Sequence, residues 1–130
     1  MILLDTHVWW WSLSEPEKLS RGATRIIKKT TPDQRAIASI SIWEFAMMAC
    51  RKKIEMKITP DEWLSYALDK TGIRVLEINP RIAIDVCNLP GDFHKDPADR
   101  LIVATARVNN LTLITKDEKI LKYSHVKTVW

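Results

Sequence analysis

The sequence predicts an α/β fold: three layers, α/β/α, around a central parallel sheet of four to five strands. Three observations predict it. Ile2-Leu3-Leu4 is a continuous apolar run, the pattern of a parallel strand buried on both faces. Comparable short runs return at residues 36–40, 74–78 and 111–115. Helix-start signals stand between the runs, and strands alternating with helices imply a parallel sheet covered on both sides.

In order, Asp5 ends the first run, and residues 7–13 form a short helix bearing Trp9, Trp10 and Trp11. Three successive indoles cannot share one helix face, so at least one is expected to look outward or towards a partner. Ser14-Glu15-Pro16 opens a helix reaching about Lys29, with Leu19, Ala23, Ile26 and Ile27 inward. After strand two, Ser41-Ile42-Trp43-Glu44 matches a capping box, with Ser41 as N-cap and Glu44 at N3. That helix is read as burying Ile42, Phe45, Ala46 and Ala49. Thr59-Pro60 starts the next helix, with Trp63, Leu64, Ala67 and Leu68 inward, and Gly72 closes it. Strand three follows, then a helix from Pro80 and a loop through residues 89–95. Asp96-Pro97-Ala98-Asp99 begins a long apolar helix ended by Asn109-Asn110. Strand four, Lys116-Asp117, a short helix at residues 118–122 and an edge strand at 126–129 complete the chain.

With 130 residues, the chain is read as one domain, residues 1–130, able to bury a core without staples. Three glycines and six prolines argue against a loop-rich or disordered chain. Cys50 and Cys87 lack metal or redox spacing and lie in apolar stretches, so they read as inert thiols of a reduced protein. No apolar run approaches the ~18 residues of a membrane span, and the start lacks signal-peptide character. A cytoplasmic protein is expected. A net charge of +4 favours acidic partners such as nucleic acid.

The acids form the pattern that carries function. Asp5 follows strand one, Glu44 lies in the first turn after strand two, and Asp99 lies in the first turn of the helix before strand four. Asp117 follows strand four. Parallel strands share a direction, so all four can meet at one rim, where open α/β sheets place chemistry. Each also has an ordinary use as a cap. Asp96 is the better cap of its helix, which leaves Asp99 without a structural duty. Two carboxylates ~4 Å apart repel by about 4 kcal/mol at an effective dielectric of 20, while a helix N-terminus returns about 0.3–1 kcal/mol. Such a cluster must hold protons or cations. Hard oxygen donors suit Mg²⁺ or Mn²⁺, which activate water in phosphoryl transfer.

Together Leu3-Leu4-Asp5-Thr6-His7, residues 39–44, residues 96–106 and residues 113–117 make the chain resemble the PIN-domain ribonucleases, and among them the VapC-type toxins. The match in order and spacing covers nearly the whole chain. The resemblance implies a PIN-like α/β/α fold and an endoribonuclease dependent on Mg²⁺ or Mn²⁺. It also implies a tRNA or ribosomal RNA substrate, a cognate VapB-type antitoxin and a homodimer. Carried over, Asp5, Glu44, Asp99 and Asp117 match the family's catalytic, metal-binding acids, and Thr6 and Thr115 match supporting hydroxyls. Asp96 belongs to a DPxDR variant and ranks as a cap or supporting acid. His7 stands where many members have Asn and is not read as catalytic.

Lys95, Arg100 and Lys116 flank the acids and are expected to hold RNA phosphate; Arg51 and Lys52 are further candidates. The histidines and cysteines show no zinc spacing. A phosphatase of the haloacid dehalogenase type is the alternative enzyme, but its second Asp is replaced by His7. A non-enzymatic nucleic-acid-binding module is the other alternative, and four acids facing phosphate count against it unless metal is present.

Overall fold

The computed structural model describes residues 1–130. Five strands form one parallel sheet: β1 (Ile2–Leu4), β2 (Arg35–Ala38), β3 (Arg74–Leu76), β4 (Thr112–Ile114) and β5 (Thr128–Val129). Their order across the sheet is β3-β2-β1-β4-β5, and every pairing is parallel. The chain builds outward from β1 in one direction, then returns to build outward in the other. That reversal lies between β1 and β4, the switch point where open sheets leave a crevice.

Seven helices cover the sheet: α1 (Thr6–Ser14), α2 (Arg21–Lys29), α3 (Ile40–Cys50), α4 (Pro60–Asp69), α5 (Pro80–Cys87), α6 (Pro97–Val108) and α7 (Glu118–Leu121). Alternation along β1 sends its side chains to opposite faces. Ile2 and Leu4 pack with Val8, Trp9, Trp10, Phe45, Met48 and Trp63 on one face. Leu3 packs with Ile102, Val103, Ala106 and Ile120 on the other. This is why β1 is apolar throughout: both of its faces are interior.

The sheet ladder runs one residue beyond the strands at the functional rim. The backbone N–H of Asp5 donates to Ile114 O (3.0 Å), that of Ser39 to Leu76 O (3.0 Å), and that of Thr115 to Val129 O (3.2 Å). Residues at the strand ends are thereby held by sheet hydrogen bonds, not left on a loose loop.

Several expectations are corrected. The helix read from Ser14 to Lys29 is two pieces, a 3₁₀ turn at Pro16–Lys18 and then α2. Leu19 is extended, and the Ser20 hydroxyl caps α2 by accepting from the Ala23 N–H (3.0 Å). Strand two ends at Ala38 because α3 has begun by Ile40. The Ser41–Glu44 capping box does not form: Ser41 is inside α3, fully buried, and both side chains turn to Thr6. In α3, Met48 joins Phe45 in the core, and Ala46 and Ala49 are only half-buried. Cys50 and Cys87 are exposed, at the ends of α3 and α5, not in the apolar interior. Trp9 and Trp10 are buried, whereas Trp11 is half-buried at the surface, as the helix period requires. No helix is long and apolar enough to cross a membrane.

Candidate active site

Asp5 leaves β1 in extended conformation and N-caps α1, its Oδ1 accepting from the Thr6 N–H (2.8 Å). Its Oδ2 accepts from the Thr115 hydroxyl at the end of β4 (2.6 Å). That hydroxyl also accepts from the Asp117 N–H (3.0 Å), so one threonine ties the two acidic strand ends together. Asp117 in turn caps α7, Oδ1 accepting from the Ile120 N–H (3.1 Å). On the other side of β1, the buried Thr6 hydroxyl donates to Glu44 Oε1 (2.6 Å) and lies 2.8 Å from Ser41 Oγ. Thr6 and Thr115 thus hold Glu44 and Asp5 from opposite sides.

Asp96 caps α6, its Oδ1 accepting from the Ala98 N–H (2.9 Å) and the Asp99 N–H (3.4 Å). This leaves Asp99 one turn in, free of capping work. Asp99 instead meets His94, whose Nε2 is 3.1 Å from Asp99 Oδ2. His94 Nδ1 accepts from the Asp96 N–H (3.4 Å), while Nε2 is buried beside Asp99 without the alignment of a hydrogen bond. His94, Asp96, Asp99, Asp117, Glu118 and Lys119 line an open polar cavity of about 500 Å³. The sequence reading placed no function on His94. Its only signal was position, two residues ahead of the Asp96 cap.

The acids feel one another. Burial pushes the Asp99 carboxyl up to about 7, and the charges of Asp5, Asp96, Asp117 and Glu44 push the same way. Burial raises Glu44 as well, opposed by the Thr6 hydrogen bond and reinforced by Asp5 and Asp96. Asp5 is raised by burial, against the hydrogen bonds from Thr115 and Thr6. Neither lysine nor arginine forms an ion pair with any acid of this group. The five acids therefore share one field, without a lysine or arginine partner, and only His7 offsets part of it at Asp5.

The donor set fits a hard divalent cation. All donors are carboxylate oxygens, and their mutual repulsion is what a cation would relieve. No group of three His, Cys, Asp or Glu side chains converges to metal-holding distance, so a cation there would draw on one or two carboxylates together with waters or substrate oxygens.

The cationic candidates separate. Lys95 and Lys116 are exposed beside the acids. Arg100 was expected to hold phosphate, but its guanidinium donates to the carbonyls of Phe93 (3.0 Å), His94 (3.2 Å) and Val86 (2.8 Å). It fixes the loop that carries His94. Arg51 and Lys52 follow the end of α3, ~10 Å along the helix from Glu44, and so stand away from the rim.

Comparison with known proteins bears on the family and the fold. The PIN domain family model matches residues 2–126. The chain belongs to the PIN-domain family. Among PIN-domain relatives, it is 37% identical over 131 residues to Ribonuclease VapC22 of Mycobacterium tuberculosis, covering 99% of this chain and 98% of that one. Solved PIN-like folds include a toxin–antitoxin complex from Klebsiella pneumoniae (TM-score 0.71, 22% identity, 100% of this chain and 97% of that chain). Another is a DNA-bound VapBC from Salmonella typhimurium (TM-score 0.72, 17% identity, 99% and 98%). These two establish the likeness of fold.

Proposed function

We propose that the chain is the toxin of a toxin–antitoxin pair, a metal-dependent endoribonuclease that hydrolyses RNA phosphodiester bonds and so arrests translation or growth. The observation that carries the reading is the carboxylate group at the carboxyl ends of β1 and β4, without lysine or arginine partners and with Asp99 raised to about 7. The relative named as a ribonuclease, matched end to end, supports it.

In this reading Asp5, Glu44, Asp99 and Asp117 hold Mg²⁺ or Mn²⁺. The bound ion supplies Lewis-acid activation of water and charge neutralisation at phosphorus. Water adds to phosphorus, the P–O bond to one ribose breaks, and the departing oxygen takes up a proton. Thr6 and Thr115 keep the Glu44 and Asp5 oxygens aimed into the site, so little reorganisation is needed during reaction. Asp96 caps α6 and thereby sets the height of Asp99. Lys95 and Lys116 hold the strand's phosphates, with Arg51 and Lys52 as outlying contacts for a longer RNA such as a tRNA or ribosomal RNA.

The partner reading follows the complexes matched in fold. A VapB-type antitoxin would seat an apolar segment in a groove of about 610 Å³ lined by Trp10, Leu13, Met56, Ile58 and Trp63. Glu15, Glu17 and Glu55, against the single Lys57, give its lining a net negative charge that favours a segment bearing Lys or Arg. We read the chain as one domain, homodimeric and cytoplasmic. Mapping RNA cleavage ends in cells after brief induction, beside an Asp5→Asn control, tests the whole. New ends at defined RNA positions with the wild type alone are expected; identical ends with the variant would contradict the assignment.

A further inference from the structure

The rim on the β4–β5 side of the acids carries an aromatic group. Trp11 and Trp130 pack at the edge of the core with Lys116 beside them, and the exposed member, His7, has no role in the core or in holding the acids. His7 and Trp11 lie four residues apart and share one face of α1, with ring centroids 5.6 Å apart and planes inclined by 51°. Trp130, just past β5, meets Trp11 at 6.1 Å. Lys116 Nζ stands 5.7 Å from the centre of the Trp11 ring, within cation–π reach. Trp11 is therefore supported from three sides, while His7 is exposed and enters no ion pair.

Location gives the group its meaning. His7 follows Asp5 by two residues, at most about 7 Å along the chain, and Lys116 lies between Thr115 and Asp117. A phosphate held at the carboxylates would have this patch as its immediate neighbour. The exposed His7 ring offers a base a stacking face, and Lys116, on the neighbouring Trp11 ring, offers the adjoining phosphate a counter-charge, the pairing used for single strands. An acidic peptide would find the lysine but would bring further carboxylates beside Asp5 and Asp117.

We propose that His7, Trp11 and Lys116 form a nucleotide subsite. A base of single-stranded RNA, next to the phosphate at the acids, stacks on the His7 ring. Trp11 buttresses that ring, and Lys116 holds the adjoining phosphate. The proposal rests on the ribonuclease reading, and it makes His7 a determinant of where the strand is cut. Stacking accepts any base with a π-face, so the subsite sets register more than sequence.

Binding tests it independently of cleavage. With cleavage silenced by Asp99→Asn, affinity for a short fluorescent single-stranded RNA of mixed sequence is measured by anisotropy. His7→Ala in that background is expected to weaken binding about tenfold, and His7→Phe to restore it. The His7→Ala loss should vanish on an RNA made abasic at one particular position. Lys116→Ala should lower the slope of log affinity against log salt by about one. Equal affinity for His7→Ala and its parent, or an undiminished loss at every abasic position, would overturn the subsite. Wild-type cleavage of the same RNA with Mn²⁺ is scored separately; its absence would count against the ribonuclease reading while the binding result still decides the subsite.

Discussion

Two regions of the molecule, separated by a single residue step in the sequence, are built on opposite terms. Leu4 ends in an aromatic core where Trp9, Trp10, Phe45 and Trp63 pack with centroids as close as 4.3 Å. The next residue, Asp5, enters a rim where like charges are gathered in a partly buried space. In the first region the contacts favour folding; the Trp10 and Trp63 indole N–H groups even find Glu15 and Ser14 (2.9 Å each). In the second, hydrogen bonds from Thr6 and Thr115 hold carboxyls whose burial and mutual charge oppose folding.

The contrast breaks most visibly in the aromatic core. Phe45 is fully buried and stacks on Trp63, so Phe45→Ala is expected to cost about 3–5 kcal/mol. Urea unfolding measures it, and a loss under ~1 kcal/mol would mean that the aromatic cluster is not the main support of this face.

A smaller effect sharpens the rim. His94 Nε2 lies 3.1 Å from Asp99 Oδ2, and Arg100 anchors its loop through the carbonyls. In the proposed function Asp99 holds metal, and removing a neighbour that positions a metal-holding carboxylate costs about tenfold or more in metal affinity. His94→Ala should therefore weaken Mn²⁺ binding about tenfold in calorimetry, with little change in the melting temperature of the metal-free protein. Unchanged Mn²⁺ affinity would reduce His94 to loop packing.

A third effect is read in its sign. Asp99 is raised in the folded protein from 3.8 to about 7. A group raised in this way favours folding fully below its unfolded value, and that contribution is lost as pH rises through 7. Asp99→Asn removes the titration. Metal-free Asp99→Asn should therefore melt progressively higher relative to wild type as pH rises from about 4, reaching a plateau above about 8. A difference that shrinks with rising pH would contradict the repulsion described here.

How much of this was legible in sequence depends on what each residue answers to. Asp5, Glu44, Asp99 and Asp117 were legible because strand ends and helix first turns are local features, and parallel topology brings them together. Ser41 was misread because Ser-x-x-Glu is also the pattern of a capping box. The local rule lost to a tertiary contact, Thr6 on β1's far side, 35 residues away. The anchoring of Arg100 was hidden for a similar reason: its charge beside the acids suggested phosphate, and only the tertiary path of α5 and the 89–95 loop brings the Val86, Phe93 and His94 carbonyls around it. The contact of Trp11 with Trp130 joins a helix next to β1 to the residue after β5, and no local period signals that. The break at Leu19 was in principle readable, since Ser20 with the Ala23 N–H is an ordinary cap.

The central claim is that the acid rim works only with a divalent cation. RNA cleavage by purified protein stripped with EDTA, then given Mg²⁺ or Mn²⁺ in excess, addresses it directly, with Asp5→Asn alongside. The account predicts no cleavage after stripping, recovery on adding either ion, and no recovery for the variant at the same concentration. Full activity in the stripped protein, or wild-type cleavage by Asp5→Asn, would contradict it.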